Sequence, residues 1–178
     1  MAYQLTRDES VSDGIPRLIL EEVENIVAQL TEPTIERDLG VHGARKSCKR
    51  VRAALRLVRD DIGKSIFKKE NIRYRDIARK LALARDSWVK IAVMDRLIPQ
   101  DDNNAFPIGV FDNFRNQLVQ DYEFTRQRES EDKTKIPMIL ESIQESIHLL
   151  RKLSVQNKGF SVMRSGLIRT YTLGQKGM

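Results

Sequence analysis

The sequence predicts an all-α protein, an antiparallel helical bundle of about six helices that includes two long basic helices. Apolar residues recur at intervals of three and four along nearly the whole chain, as in amphipathic helices. No short segment between turn signals shows the alternating pattern of a β-strand. With 178 residues, 40% of them hydrophobic and 31% charged, the chain has the size and composition of one globular domain. We therefore expect a single domain over residues 1–178.

The first two helices are predicted from their apolar spacing and their end signals. Helix one is predicted over 14–31, with Asp13 as its N-cap and Pro16 in its first turn. Helix two is predicted from near residue 33 to Ile62. Gly63 suits the position just after its C-terminus, where glycine is common.

The third helix is predicted over 70–98, with Trp88 on its apolar stripe and hence in the core. Helices two and three have similar lengths and are joined by the short connection 63–69, which predicts an antiparallel pair. A loop is expected at 99–107. Three further helices are predicted over 107–129, 136–155 and 159–172.

One segment is strongly basic. Between Asp38 and Asp60 lie twenty-one residues that include seven Lys or Arg and one His but no acid. At 100° per residue, the following cationic residues share a stripe about 120° wide on helix two: His42, Arg45, Lys46, Lys49, Arg52 and Arg56. A surface helix normally mixes charges, whereas these neighbours repel each other by a few tenths of a kcal/mol per pair. The pattern therefore favours an anionic ligand.

Composition excludes several other classes of protein. The net charge of +6 favours anionic partners. The single cysteine, Cys48, lies on the apolar face of helix two and is expected in the core, and no metal-ligand spacing is present. No apolar run approaches the roughly 20 residues that span a bilayer, and the N-terminus lacks a signal-peptide pattern. We expect a cytoplasmic protein with no metal, no cofactor and no membrane contact.

Catalysis is not predicted. Phosphoryl chemistry generally uses metal ions held by carboxylates, and the basic segment contains no carboxylate. The sequence has no Walker A motif, no HExxH motif and no recognisable Ser/His/Asp arrangement. The chain is therefore expected not to be an enzyme, and no catalytic residue is assigned.

Three segments, in order along the chain, resemble the CHAD family. VHGARKSCKRVRAALRLVR at 41–59 resembles its pattern V-H-x-x-R-x-x-x-(K/R)-R-x-R-A-x-L, and LALARDSWV at 81–89 resembles L-x-x-x-R-D-x-x-V. GLIRTYTLGQKGM at 166–178 is similar to the segment that closes the first half of the family's domain, although several usual basic residues are replaced. Family members are usually longer, so the resemblance is to the N-terminal half.

The resemblance implies a non-catalytic binder of inorganic polyphosphate, with antiparallel helical bundles around a basic cavity. It also implies association with polyphosphate granules and with triphosphate-processing enzymes. Because the chain supplies one half of the domain, we expect it to form a homodimer. The predicted polyphosphate-binding residues are His42, Arg45, Lys46, Lys49, Arg50, Arg52, Arg56, Arg79 and Arg85.

Two alternatives remain open at the level of sequence. A cationic helix could follow the phosphate backbone of a nucleic acid, although the stripe has no aromatic residue on which bases could stack. The chain could instead be a helical adaptor whose basic face binds an acidic protein. Binding assays with polyphosphate, duplex DNA and an acidic polypeptide would separate the three hypotheses.

Overall fold

The computed structural model confirms the all-α prediction. It describes residues 3–97, 109–153, 155 and 159–176, except for the side chains of 83–87 and 129–130. Within these residues the chain forms eight α-helices and no strand. The predicted loop at 99–107 lies outside the described residues. The helices are α1 (Val11–Thr31), α2 (Arg37–Leu57), α3 (Arg59–Ile62), α4 (Lys64–Lys80), α5 (Leu83–Leu97), α6 (Val110–Glu131), α7 (Lys135–Leu150) and α8 (Ser161–Lys176).

The chain divides into two compact units. The first comprises residues 1–78 and 138–178 and is a bundle of α1, α2, α3, most of α4, most of α7, and α8. The second comprises residues 79–137, in which α5 packs against α6. The single domain over 1–178 stays a prediction.

Helix α1 begins three residues earlier than expected, because Ser10 and not Asp13 is its N-cap. The Ser10 hydroxyl accepts a hydrogen bond from the Asp13 amide at 3.2 Å. Asp13 lies in the first turn, where its negative charge interacts favourably with the helix dipole. Pro16 therefore falls in the second turn, not the first.

The predicted second helix is interrupted near its end. Helix α2 stops at Leu57, and the short helix α3 follows Val58, whose φ of −98° and ψ of 12° leave the helical region. Val58 is fully buried and Ile62 is 6% exposed, so the break keeps both side chains in the core. Gly63 is the C-cap of α3, with a φ of +84° and a ψ of 147° that glycine adopts readily, and it alone connects α3 to α4.

The predicted third helix is also two helices, and it starts earlier than expected. Helix α4 begins at Lys64, so the expected connection 63–69 is mostly helical. It ends at Lys80, and the buried Leu81 lies in the turn before α5. Trp88 was expected in the core but is 48% exposed. Trp88 lies on α5, where Met94 is buried among the side chains that the structure describes.

Helices α1 and α2 are antiparallel. Two hydrogen bonds show this direction, because a later residue of α2 bonds to an earlier residue of α1. The Asn25 amide donates to the Ser47 hydroxyl at 2.8 Å, and Arg50 donates to the Glu22 carboxylate at 2.8 Å.

Helices α2 and α4 are antiparallel too, as the sequence predicted. Arg45 donates to the Ala78 carbonyl at 2.6 Å, and Arg52 Nε donates to Asn71 Oδ1 at 3.0 Å. Seven residues forward on α2 thus correspond to seven residues back on α4. This register places the residues of α4 relative to the basic face of α2.

The core of the first unit is apolar and includes the single cysteine. Burial raises the pKa of the Cys48 thiol to about 12, so the thiol is neutral at physiological pH. Its predicted core position is confirmed. Helix α2 contributes Ala44, Cys48, Val51, Ala54 and Leu55 to the core, and α1 contributes Ile15, Leu18, Ile19, Val23 and Ile26.

A buried polar network joins α4 to α7. The Ser146 hydroxyl donates to Glu70 Oε2 at 2.5 Å and accepts from the Tyr74 hydroxyl at 2.6 Å. Arg73 donates to Glu70, to Ser142 and to Glu145. Glu70, Tyr74 and Ser146 are fully buried, and burial raises the pKa of Tyr74 above its usual range. The network therefore stays satisfied without water.

Replacing Ser146 with Ala should destabilise the protein by about 2 kcal/mol or more, because it leaves a buried carboxylate oxygen and a buried phenol unpaired. Urea unfolding followed by circular dichroism measures the change. Ser65→Ala, at an exposed position of α4, is the control and should change the unfolding free energy by less than about 0.5 kcal/mol. Equal effects of the two substitutions would contradict the stabilising role of the network.

Candidate functional site

Helix α2 carries most of the predicted binding residues, and close packing fixes its position. Gly40 lies against α1, where an added Cβ would collide with the backbone carbonyl of Gln29. Gly166 of α8 lies against the carbonyls of Arg56 and Leu57 at the other end of α2. Glycines permit such close approach, so α2 is held at both ends.

A row of exposed basic residues runs along the solvent side of α2. We call His42, Lys46, Lys49 and Arg56 the α2 row. Their side chains make no hydrogen bond or ion pair with any described residue. The row spans about 21 Å, given 1.5 Å per residue. It is therefore a line of uncompensated positive charge on a rigid helix.

Arg45 and Arg52 belong to the same predicted stripe, but they reach sideways to α4. Both are partly buried, and each donates a hydrogen bond across the helix pair, Arg45 to the Ala78 carbonyl and Arg52 to Asn71. A hydrogen bond from a charged guanidinium is directional, so each bond fixes the position of its side chain. These residues thus position charge beside the α2 row and also join two helices.

Arg50 lies on the opposite flank of α2, beside α1. Its guanidinium pairs with Glu22 at 2.8 Å and lies over the ring of Tyr3, 5.2 Å from the centroid. The Tyr3 hydroxyl donates to the Arg50 carbonyl at 3.0 Å. Burial raises the pKa of Tyr3, and the charge of Glu22 acts in the same direction. Arg50 is thus largely neutralised where it lies.

A cleft of about 320 Å³ lies beside Arg50, and its lining includes three glutamates but only one arginine. One buried oxygen of its wall, Glu22 Oε2, has no hydrogen-bond partner among the described residues. The excess of carboxylates does not suit a polyanion. The lining residues are Tyr3, Glu21, Glu22, Glu24, Asn25, Ala28 and Arg50.

The last two predicted residues belong to the second unit. Arg79 is exposed in the last turn of α4. Arg85 lies on α5, and its side chain is outside the described part of the structure. Neither is placed relative to the α2 row.

Two exposed lysines were not among the predicted site residues. Lys64 and Lys68 lie in the first two turns of α4, in the segment expected to be a connection. The signal that could have found them is their spacing of four in KSIFKK, which puts both on one side of a helix.

The described residues contain no group of three or more side chains suited to hold a metal ion. Among the same residues, no helix is long and apolar enough to cross a membrane. The arrangement can bind an extended anion by charge and hydrogen bonds along α2. Glu70, a fully buried acid, is committed to the network with α7.

Comparison with known proteins gives one family match. The model of the CHAD domain matches residues 17–152 of this chain. The match contains the whole α2 row and both of the first two segments on which the resemblance was based. No curated protein and no solved structure gives a significant match.

The different surroundings of Arg45 and Lys46 predict different effects on stability. Arg45→Ala should lower the unfolding free energy by about 1–2 kcal/mol, because it removes a hydrogen bond from a charged donor to α4. Lys46→Ala removes the same charge from an exposed position and should change it by less than about 0.5 kcal/mol. Urea titrations of both variants test this, and a larger loss for Lys46→Ala would refute it.

Proposed function

The chain belongs to the CHAD domain family, and from this premise we propose that it binds inorganic polyphosphate along the basic face of α2 without catalysing a reaction. The family is associated with polyphosphate binding in general and is a binding module. The observation that carries the proposal for this chain is the α2 row, which is exposed and has no anionic partner among the described residues.

The shape of the row suits a linear polyanion. A chain of phosphates offers oxygen acceptors along its whole length, whereas a single phosphate can meet only one or two of these cations at a time. Hydrogen bonds between charged donors and phosphate are each worth about 1.5–3 kcal/mol when well placed. Binding would also relieve the repulsion among Lys46, Lys49 and their neighbours.

The nine predicted binding residues have different parts in this proposal. The α2 row contacts the phosphates directly, and Arg45 and Arg52 add positive charge from fixed positions beside it. Arg50 has the smallest part, because Glu22 competes for its guanidinium. We keep Arg79 and Arg85 as contacts of the same ligand.

We also propose self-association and two cellular settings. The outer side of α8 exposes Leu167, Ile168 and Tyr171, and Tyr171 is 70% exposed. Apolar patches of this kind favour association, so we propose a homodimer. The family resemblance supports a cytoplasmic location at polyphosphate granules and a triphosphate-processing enzyme as partner.

Affinity should rise steeply from orthophosphate through tripolyphosphate to long-chain polyphosphate, since longer chains reach more of the α2 row. It should also fall sharply with salt, because binding releases counterions as in nucleic-acid complexes. Isothermal titration at two salt concentrations measures both effects. Duplex DNA and an acidic polypeptide serve as competing ligands. Equal affinity for orthophosphate and long chains, or tighter binding of DNA, would refute the proposal.

The triple variant Lys46→Ala, Lys49→Ala, Arg56→Ala should bind long-chain polyphosphate at least about 100-fold more weakly, from the loss of three charge-assisted contacts. A matched control removes three exposed lysines elsewhere in the first unit: Lys69, Lys152 and Lys176. It changes the net charge equally and should lose much less affinity. Similar losses in both variants would show that net charge, and not the α2 row, determines binding.

Light scattering should find a dimer in solution without ligand. Leu167→Ser combined with Tyr171→Ser should shift it to a monomer, because both side chains are exposed on α8. Circular dichroism checks that the variant remains folded. A monomer for the unaltered protein at all concentrations would rule out the dimer.

A further inference from the structure

We propose that the polyanion lies in the groove between α2 and α4 and is bound from both sides within one chain. Lys49 and Arg56 would line one side, and Lys64 and Lys68 the other. This inference rests on the proposed function and assigns it two ligand contacts on α4.

The register of the two helices sets Arg56 opposite Lys68. Arg45 meets Ala78, and Arg52 meets Asn71. Four residues further along α2, Arg56 is level with the turn of α4 that contains Lys68. Lys64 lies one turn beyond Lys68, next to Gly63, where the chain reverses.

The faces of α4 place these lysines beside α2. The buried residues Glu70, Tyr74 and Ile77 define the side that faces the core. Asn71 is about 90° round the helix from the centre of that side and marks where α2 lies. Lys64 and Lys68 lie about 20–60° further round the helix than Asn71, toward solvent. Both are exposed.

The α2 cations approach the same groove from the other side. Arg45 and Arg52 mark the flank of α2 that contacts α4. Lys49 and Arg56 lie about 20–60° from this flank toward solvent. The open edge of the helix pair therefore has an exposed cation row on each side.

The charges nearest the groove leave the two lysines uncompensated. On α4, Arg75 faces the same way but is paired with Asp76 at 2.8 Å. At the α3 end, Asp60 is paired with Arg169 of α8 at 2.8 Å. Lys64 and Lys68 have no such partner among the described residues.

The groove suits a single chain of phosphates better than duplex DNA. Lysine and arginine side chains are long and flexible, so cations of both rows can close on one narrow ligand between them. A duplex, whose major groove alone is about 12 Å wide, would touch only the outer tips of the rows. A ligand held from both sides would meet more cations per unit length than one lying on α2.

Two adjacent lysines on α4 provide a matched test. Lys68 faces the groove, whereas Lys69 is about 100° further round the helix and faces away. Both are exposed, and replacing either with Ala removes one charge from the same turn. We expect Lys68→Ala to weaken binding of long-chain polyphosphate about tenfold and Lys69→Ala to weaken it less than about twofold.

The arms of this test separate the inference from the proposed function. Lys49→Ala, on α2, should also weaken binding about tenfold, and the salt dependence of binding should become shallower for Lys68→Ala and Lys49→Ala but not for Lys69→Ala. If Lys49→Ala weakens binding while Lys68→Ala matches Lys69→Ala, the α4 side of the groove is refuted and binding on α2 stands. If the unaltered protein does not bind polyphosphate, both fall.

Discussion

Helix α2 is packed against other helices on several sides, and this packing determines where its cationic side chains lie. Gly40 allows α2 to approach α1 closely, and Gly166 of α8 lies against the C-terminal carbonyls of α2. Arg45 and Arg52 join α2 to α4 by hydrogen bonds. These contacts occupy most of its circumference, and only a narrow strip remains in solvent. Because long cationic side chains cannot be buried without partners, the surplus charge of α2 is concentrated on that strip.

Several acids on and beside α1 add to this asymmetry because they are paired with arginines away from α4. On α1, Arg17 binds Glu9 and Glu21, and the pairing holds the pKa of Glu9 down to about 2. Glu22 takes Arg50 on the α1 side of α2. The α1 flank thus holds acids beside its arginines, while the opposite edge stays positive. A polyanion would meet a one-sided field that is not cancelled by the neighbouring acidic helix.

Sequence alone predicted what depends on local spacing. The helical class, the buried face that contains Cys48, the turn at Gly63 and the antiparallel pairing of α2 and α4 all follow from periodicity and single-residue preferences. The breaks at Val58 and after Lys80 could not be predicted in this way. The apolar pattern continues across them, because only one or two residues leave the helical conformation at each break. A break that keeps the same face buried leaves almost no trace in periodicity.

The candidate site was only partly predictable, for a related reason. A helical wheel places Arg45, Lys49 and Arg52 in one stripe, but it cannot show that the two arginines reach α4 while the lysine stays free in solvent. That distinction depends on which helix lies alongside, which is a tertiary fact. The same fact brings Lys64 and Lys68 beside α2, although they lie in a segment predicted as a connection.

A groove made by two helices of one chain changes what oligomerisation would contribute. If both rows already belong to one molecule, a second copy is not needed to surround the ligand, and affinity per chain should not depend on dimer formation. Long polyphosphate could nonetheless carry several copies along its length, since each occupies only the span of its own groove. Such crowding arises from the length of the ligand and needs no contact between the proteins. Co-migration of several copies with a long polyphosphate would thus not by itself indicate a protein dimer, whereas association without ligand would.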